Sequence, residues 1–392
     1  MHPDSSETLL STGDRSANSL TERLSAIHGV IRARYPDVDR VALAIYDKAT
    51  DLLKTFVSSN HDHHALIGYQ ARLSDVPSLA QLAKARQNRL ISNIGDRFDS
   101  PTEHTDWLKK QSYHSSFTVP IYNGEDLAAF LFFDSKTPDA FDVAAAEFLT
   151  VFADLIAHLY LSEVRAVRNL ISTVHIAAGL ARIRDMETGE HLERIASYAR
   201  LMGQKLASSH QLSDEFIEYL HLFSSLHDIG KVGIPDSILL KPGKLTESEY
   251  AIMKQHVTIG ETMIDQIVAD MGLNEDLASR IMRNIVAGHH ERGDGSGYPR
   301  GLFMANIPIE ARIVAVADVY DALSNERPYK PAWEEARVVA LLRDEAAGGR
   351  LDPDCVDALL NAKEEREAIR KRFSEAAHQY TPPEKHATRS AA

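Results

Sequence analysis

Apolar positions along the chain follow two rhythms, and the change between them falls near Pro138. Before it, from about Leu24 to Asp134, short apolar runs alternate with helix-like stretches. Val41-Ala-Leu-Ala-Ile45, Phe117-Thr-Val-Pro-Ile121 and Leu127-Ala-Ala-Phe-Leu-Phe-Phe133 have the length and the β-branched or aromatic content of strands. Tyr122-Asn123-Gly124-Glu125 sets an Asn-Gly pair between the last two, which predicts a hairpin. Together these elements predict an α+β domain over residues 21–138, preceded by a loose polar arm over 1–20.

Beyond Pro138 the strand signals stop. Leu149, Phe152, Ile156 and Leu159, then Val164, Val167, Ile171, Val174 and Ala178, recur in steps of three and four with one irregular step. This predicts a long connecting helix over 139–185 with a narrow apolar seam. Such a seam serves either a partner helix in a homodimer or the core of a neighbouring domain. Residues 186–373 read as all-α. Ser213 before Asp-Glu-Phe-Ile marks one helix start, and Thr246-Glu-Ser-Glu249 is a capping box at another. Pro235, Pro242-Gly243 and Gly293–Pro299 mark loops, and the polar tail over 374–392, with Pro382-Pro383, predicts disorder.

Composition narrows the class. Hydrophobic residues at 44% and charged residues at 25% exclude a disordered or fibrous chain. A net charge of −13 argues against a binder of nucleic-acid polymers, while leaving room for a local basic pocket. The single cysteine, Cys355, excludes an internal disulfide framework and a cysteine-cluster metal site. The opening residues lack the basic start and apolar core of a signal peptide. The best apolar stretch, Leu149–Leu161, is broken by Asp154 and His158, so no membrane span and a cytoplasmic location are expected.

The 18 histidines carry the candidate chemistry. The helical half holds Glu187, His191, His227, Asp228, His256, His289, His290 and Asp318, eight groups of the imidazole and carboxylate types that borderline metals select. Any one alone reads as a packed or solvated side chain; the set reads as a metal site. Glu187 and His191 are four apart, on one helix face. His227 and Asp228 are adjacent and could reach two neighbouring metals with the carboxylate bridging, and His289-His290 repeats the arrangement. Asp318 lies in the apolar run Ile313-Val-Ala-Val-Ala-Asp-Val-Tyr-Asp321, which predicts burial and therefore a strong partner; Asp321 is its structural competitor. Lys231, four after His227, would share its helix face and offer an ammonium to a phosphate. The glycine-rich loop Gly293–Pro299 lacks the spacing of a nucleotide P-loop and reads as mobile. His61-Asp-His-His64 reads as a polar loop rather than a metal or haem site.

His227-Asp-Ile-Gly-Lys231, Ile234-Pro-Asp-Ser-Ile-Leu-Leu-Lys-Pro-Gly243, His289-His-Glu-Arg-Gly-Asp-Gly-Ser-Gly-Tyr-Pro299 and Asp318-Val-Tyr-Asp-Ala-Leu-Ser-Asn-Glu-Arg-Pro-Tyr-Lys330 resemble the HD-GYP family over about 180–370. That family is a branch of the HD-domain metal-dependent phosphohydrolases and hydrolyses bacterial cyclic dinucleotides, chiefly cyclic di-GMP. The resemblance implies that His191, His227, Asp228, His256, His289, His290 and Asp318 are metal ligands, with Glu187 supporting a third ion. It implies two or three divalent metals; the mixed nitrogen and oxygen donors suit Fe or Mn, with Zn, Ni or Co possible. Asp228 and Lys231 would be catalytic; Lys231, Gly297, Tyr298, Arg327 and Lys330 would contact substrate. The product would be linear pGpG, GMP or both. Alternatives are hydrolysis of another nucleotide, such as cyclic GMP-AMP or guanosine tetraphosphate, and a non-catalytic cyclic-dinucleotide regulator.

Thr105-Asp-Trp-Leu-Lys-Lys-Gln-Ser-Tyr-His-Ser-Ser116, leading into Val119-Pro-Ile and Leu131-Phe-Phe-Asp-Ser135, is similar to a GAF sensory domain. That implies an unidentified small ligand. No cysteine lies in residues 1–160, so a thioether-linked bilin is excluded there. The expected architecture is an α+β GAF-like domain joined by a long helix to an all-α HD-type domain.

Overall fold

The structure is a computed structural model that describes residues 19–48, 50–60, 66, 68–97, 103–182, 189–270, 277–325 and 332–379. It divides into two units: the first holds the residues up to Leu170, the second most of the chain from Ile171.

The first unit opens with α1 (Leu20–Arg34), so the last residues of the stretch read as an arm belong to a helix start. Ser19 Oγ accepts the Glu22 amide at 3.2 Å and the Glu22 carboxylate accepts the Ser19 amide at 3.0 Å, a complete capping box. Six strands follow: β1 (Arg40–Asp47), β2 (Leu52–Asn60), β3 (Gln70–Arg72), β4 (Arg89–Ile91), β5 (Ser115–Asn123) and β6 (Asp126–Ser135). They form one antiparallel sheet in the order β3-β2-β1-β6-β5-β4. The three predicted strands are β1, β5 and β6, the ones covered on both faces. Along β6, Ala129, Leu131 and Phe133 pack with α1 and with α5 (Val143–Arg182), while Phe130 and Phe132 pack with Leu79 and Leu82 of α2 (Pro77–Ala85). Burial on both faces explains why these strands read as continuous apolar runs. The hairpin differs in detail from its sequence signal. Asn123 pairs with Asp126, so Gly124 and Glu125 are the central residues, and Gly124 alone takes positive φ, 63°.

Two short helices, α3 (Ile94–Arg97) and α4 (Glu103–Lys110), lie between β4 and β5. Helix α5 confirms the long helix after Pro138. Its stretch Val143–Val167 has mean hydropathy 1.5 and is long and apolar enough, by composition, to cross a membrane, which the sequence reading did not expect. Ala145, Leu149, Ala153, Ile156 and Tyr160 close the core of the first unit, whereas Asp154 and His158 fall on the exposed side. The first half of the seam therefore serves its own domain.

Helices build the second unit, except that residues 214–216, 265–270 and 277–280 group with the first: α6 (Gly189–His210), α7 (Asp214–Phe223), α8 (Asp236–Leu239), α9 (Glu247–Met253), α10 (Gln255–Asp270), α11 (Leu277–Gly288), α12 (Ile309–Ser324), α13 (Glu335–Ala347), α14 (Pro353–Asn361) and α15 (Lys363–Gln379). Both predicted starts are present: Ser213 Oγ accepts the Phe216 amide at 3.1 Å, and Thr246 and Glu249 complete their capping box. Helix α6 packs against α12, α14 and α15. Helix α15 continues through Glu375-Ala-Ala-His-Gln379, correcting the expectation of a disordered tail from 374. Glu and Ala are good helix formers, and the first breaker is Pro382.

Candidate metal centre

His227 and Asp228 lie in a tight corner after α7, between the 3₁₀ turns Ser224–Leu226 and Ile229–Gly233. Gly230 makes that corner fit. A Cβ there would lie 1.9 Å from the His256 carbonyl oxygen and 2.5 Å from the Gly260 amide nitrogen, so only glycine lets the turn rest on α10. That close approach sets Asp228 against His256, in the first turn of α10. His191 comes from α6, His289-His290 follow the end of α11, and Asp318 projects from the middle of α12.

The structure brings seven of the eight expected ligands into two groups; Glu187 lies outside the described residues. Asp228, His256, His289 and His290 offer donor atoms within 4.8 Å of one another, and so do His191, His227 and Asp318. Asp228 stands at the junction. Its Oδ1 is 3.1 Å from His256 Nε2 and 3.6 Å from His289 Nε2, while Oδ2 is 3.2 Å from His227 Nε2. Adjacent His227 and Asp228 thus fall in different groups. His289 and His290 do not repeat that split, because both belong to the Asp228 group; their rings lie 4.1 Å apart.

Hydrogen bonds behind the histidines fix which nitrogen faces inward. His227 Nδ1 donates to Ser224 O at 2.8 Å, His256 Nδ1 to Met253 O at 2.7 Å and His289 Nδ1 to Ile285 O at 3.1 Å. A carbonyl oxygen only accepts, so each Nδ1 carries the proton and each Nε2 presents its lone pair. His191 Nδ1 donates likewise to Asp321 Oδ2 at 2.6 Å. The Nε2 atoms of His191, His256 and His289 are buried and complete no hydrogen bond, and neither does Asp228 Oδ1. Buried polar atoms without hydrogen bonds are costly unless something binds them, and converging imidazole lone pairs beside carboxylates fit a divalent metal.

The electrostatics agree. Burial alone would raise the Asp228 carboxyl, but Lys231 and His227 outweigh it and hold the group well below the carboxylate range. Burial lowers His289, and burial together with the adjacent His289 lowers His290, so both rings are neutral, the form that ligates metal.

Two positions correct the reading of single residues. Lys231 was placed on a helix face with His227, but the segment is 3₁₀, and its Nζ lies 2.8 Å from Asp228 Oδ2. The loop Gly293–Pro299, read as mobile, is tied down: Tyr298 N donates to His290 O at 3.2 Å and Gly293 N to Arg350 O at 3.1 Å. Below it Glu291, 2% exposed, accepts the amides of Arg300 at 2.7 Å and Leu302 at 2.9 Å. A Cβ on Gly297 would meet the Arg292 amide nitrogen at 2.2 Å, so Gly297 is there for close packing of the loop on itself. Tyr298, joined to Pro299 by a cis peptide bond, lays its ring 4.7 Å from that of His290.

Sequence reasoning assigned no role to Glu291 or Arg194. Arg194 grips Asp321 with Nε at 2.6 Å and Nη2 at 2.9 Å, so Asp321 holds the His191 ring and Arg194 together. The spacing of Arg194, three after His191, was the available signal. Arg327, Lys330 and the His61–His64 cluster lie outside the described residues.

Comparison with known proteins places these observations. Residues 176–355 match the HD domain and residues 19–159 the GAF domain. A cyclic di-GMP phosphodiesterase of Vibrio cholerae is 41% identical over 55% of this chain and 44% of its own length. The cyclic di-GMP phosphodiesterase response regulator RpfG of Xanthomonas campestris is 46% identical over 49% of this chain and 48% of its own. A 3′3′-cGAMP-specific phosphodiesterase 2 of Vibrio cholerae is 39% identical over 50% of this chain and 35% of its own. The chain spans about half the length, or less, of these curated relatives. By these matches, the chain joins a region that matches the GAF domain to one that matches the HD domain, the latter carrying the motifs that resemble the HD-GYP branch.

Proposed function

We propose that the helical unit is a metal-dependent phosphodiesterase that opens a cyclic dinucleotide, cyclic di-GMP before cyclic GMP-AMP. The observation that carries this reading is the pair of donor groups meeting at Asp228, with buried Nε2 atoms turned inward by their Nδ1 hydrogen bonds. His191, His227 and Asp318 would hold one divalent ion and Asp228, His256, His289 and His290 a second, with Asp228 3.2 Å from His227 where the two groups meet; Glu187 would add a carboxylate for a third. Ions so held supply Lewis-acid polarisation of a phosphoryl oxygen and a water acidic enough to attack at neutral pH. Fe and Mn suit the mixed nitrogen and oxygen donors.

The chain's own groups do the rest. Lys231, beside Asp228, sets an ammonium against the reacting phosphodiester and neutralises charge as the bond to the ribose 3′ oxygen breaks. Tyr298 keeps its proton, because burial and the neighbouring Tyr250 raise its phenol, so it donates a hydrogen bond rather than acting as a base. Arg327 and Lys330 would hold the far side of the substrate. The test is metal content and turnover on one anaerobic preparation. Two or three ions per chain, with conversion of cyclic di-GMP to linear pGpG or GMP faster than of cyclic GMP-AMP, is the expected result. Full occupancy without turnover of either substrate would overturn the reading.

Regulation by the first domain belongs to the same proposal. A cavity of ≈ 160 Å³ lies against the sheet, lined by Ala42, Ala44, Leu53, Val57 and Phe132 together with Arg40. Arg40 is already neutralised by a buried ion pair with Asp134, while its Nε is buried without a hydrogen bond. A neutral, largely apolar ligand carrying one acceptor would suit that lining better than an anion. Native mass spectrometry of the full chain should detect such an adduct and lose it in Ala44→Phe, which fills the cavity. An adduct equally retained in the variant would exclude this pocket.

A further inference from the structure

One wall of the metal centre is not used by any of the residues considered so far. Thr246 and Glu249 fix the start of α9 through their capping box, and Lys241 clamps Glu249 at 2.6 and 2.8 Å. This short, doubly pinned helix presents Tyr250, and Lys254 follows it two residues before His256. Lys254 Nζ sits 5.4 Å from the centroid of the Tyr250 ring and 5.7 Å from that of Tyr298. The two rings are 6.4 Å apart at 80°, so they form a corner with the ammonium inside it. Tyr298 in turn lies against His290 and 6.3 Å from the His256 ring, which makes this corner continuous with the donor groups.

Two features call for a ligand here. Lys254 is half-buried, yet among the described residues no carboxylate lies within 4.0 Å of its Nζ; only the tyrosine faces offset its charge. Tyr250 is 49% exposed, a large ring left in water beside a buried cluster. A solvent-facing aromatic surface next to an uncompensated cation suits a flat heterocycle carrying acceptors, or a base with its phosphate.

We propose that Tyr250 and Lys254 hold the nucleotide half that is not being cleaved, the base stacking on Tyr250 and Lys254 meeting the second phosphate or a purine acceptor. The inference rests on the phosphodiesterase reading above and adds to it the residues that select a dinucleotide over a simple diester. Binding energy drawn from this remote half would favour the cyclic dinucleotide without touching the reacting phosphorus.

The test compares cyclic di-GMP with bis(p-nitrophenyl) phosphate, which lacks a second nucleotide, on the metal-loaded full chain. Tyr250→Ala should raise KM for cyclic di-GMP by about 5- to 150-fold, the range of one lost base stack, with a much smaller effect on kcat. Its preference for cyclic di-GMP over the simple diester should fall about 10-fold or more. Tyr250→Phe should restore both, and Lys254→Met should lower the preference and weaken the salt dependence of KM. Metal content should match the wild type throughout, separating a substrate contact from a disturbed metal site. A KM within twofold of wild type in Tyr250→Ala, or equal losses on both substrates, would overturn the inference while leaving the phosphodiesterase reading intact. If the wild-type chain cleaves the simple diester but neither cyclic dinucleotide, that reading falls and this one with it.

Discussion

Replacing Asp228 by Ala is expected to strip metal from the protein and lower cyclic-dinucleotide turnover by on the order of 10³-fold or more, beyond the cost of one oxyanion-hole donor. The magnitude follows from position. Asp228 stands within 3.6 Å of Nε2 atoms from His227, His256 and His289, and it carries the Lys231 ammonium at 2.8 Å. Its loss removes the one carboxylate of its own donor group, which also lies 3.2 Å from His227 of the other, and leaves a lysine cation facing neutral imidazoles. That cation repels an incoming divalent ion, so the variant is worse than one ligand short. Asp228→Asn keeps the shape and removes the charge, and it should lose most of the metal as well. Metal analysis and turnover on the same samples check this. An Asp228→Ala protein retaining two ions per chain and near-wild-type hydrolysis would show that the metal site does not depend on Asp228.

The second large effect is expected at Asp321, which touches no candidate metal position. Its carboxylate, 1% exposed, accepts His191 Nδ1 and two guanidinium hydrogen bonds from Arg194, and Asn325 Nδ2 donates to it at 2.8 Å. Burial would raise this carboxyl, but His191 and Arg194 hold it below its ordinary range, so it is ionised in the folded protein. Asp321→Ala releases the His191 ring and leaves Arg194 buried without its partner. The first consequence should cost about 10- to 100-fold in metal affinity. The second should cost about 3–5 kcal/mol of stability, as expected when one member of a buried ion pair is removed. Metal titration and thermal unfolding read the two separately. Asp321→Asn should lie between wild type and Ala in both, because the amide oxygen still accepts from one neighbour. Unchanged metal affinity in Asp321→Ala would mean that packing alone orients His191.

The contrast between these two aspartates shows what local sequence conveys. Asp318 and Asp321 are three apart in one apolar stretch of α12, and both read as groups that need a strong partner. Their roles separate only when α6 packs on α12: His191 and Arg194 then meet Asp321, while Asp318 joins His191 and His227. Lys231 teaches the converse. Its spacing from His227 argued for a shared helix face, but a 3₁₀ corner forced by the Gly230 contact turned it onto Asp228. Periodicity cannot reveal such a turn, because the cause lies 26 residues away in the backbone of His256.

By itself the sequence determined what is carried by residue type and short spacing. It set out the switch from strands to helices after Pro138, the capping box at Thr246, the hairpin between β5 and β6, and the identities of the candidate ligands. Those signals are local, because helix periodicity, turn chemistry and motif order all act within a few residues. Tertiary structure alone decided how the donors divide into two groups around Asp228, and that His289 and His290 stand together. It also decided that Glu291 ties the Gly293–Pro299 loop and that Tyr250 and Lys254 make a corner beside Tyr298. Each depends on which helix ends converge, and convergence is set by burial of apolar faces from segments as far apart as the 130 residues between His191 and Asp321.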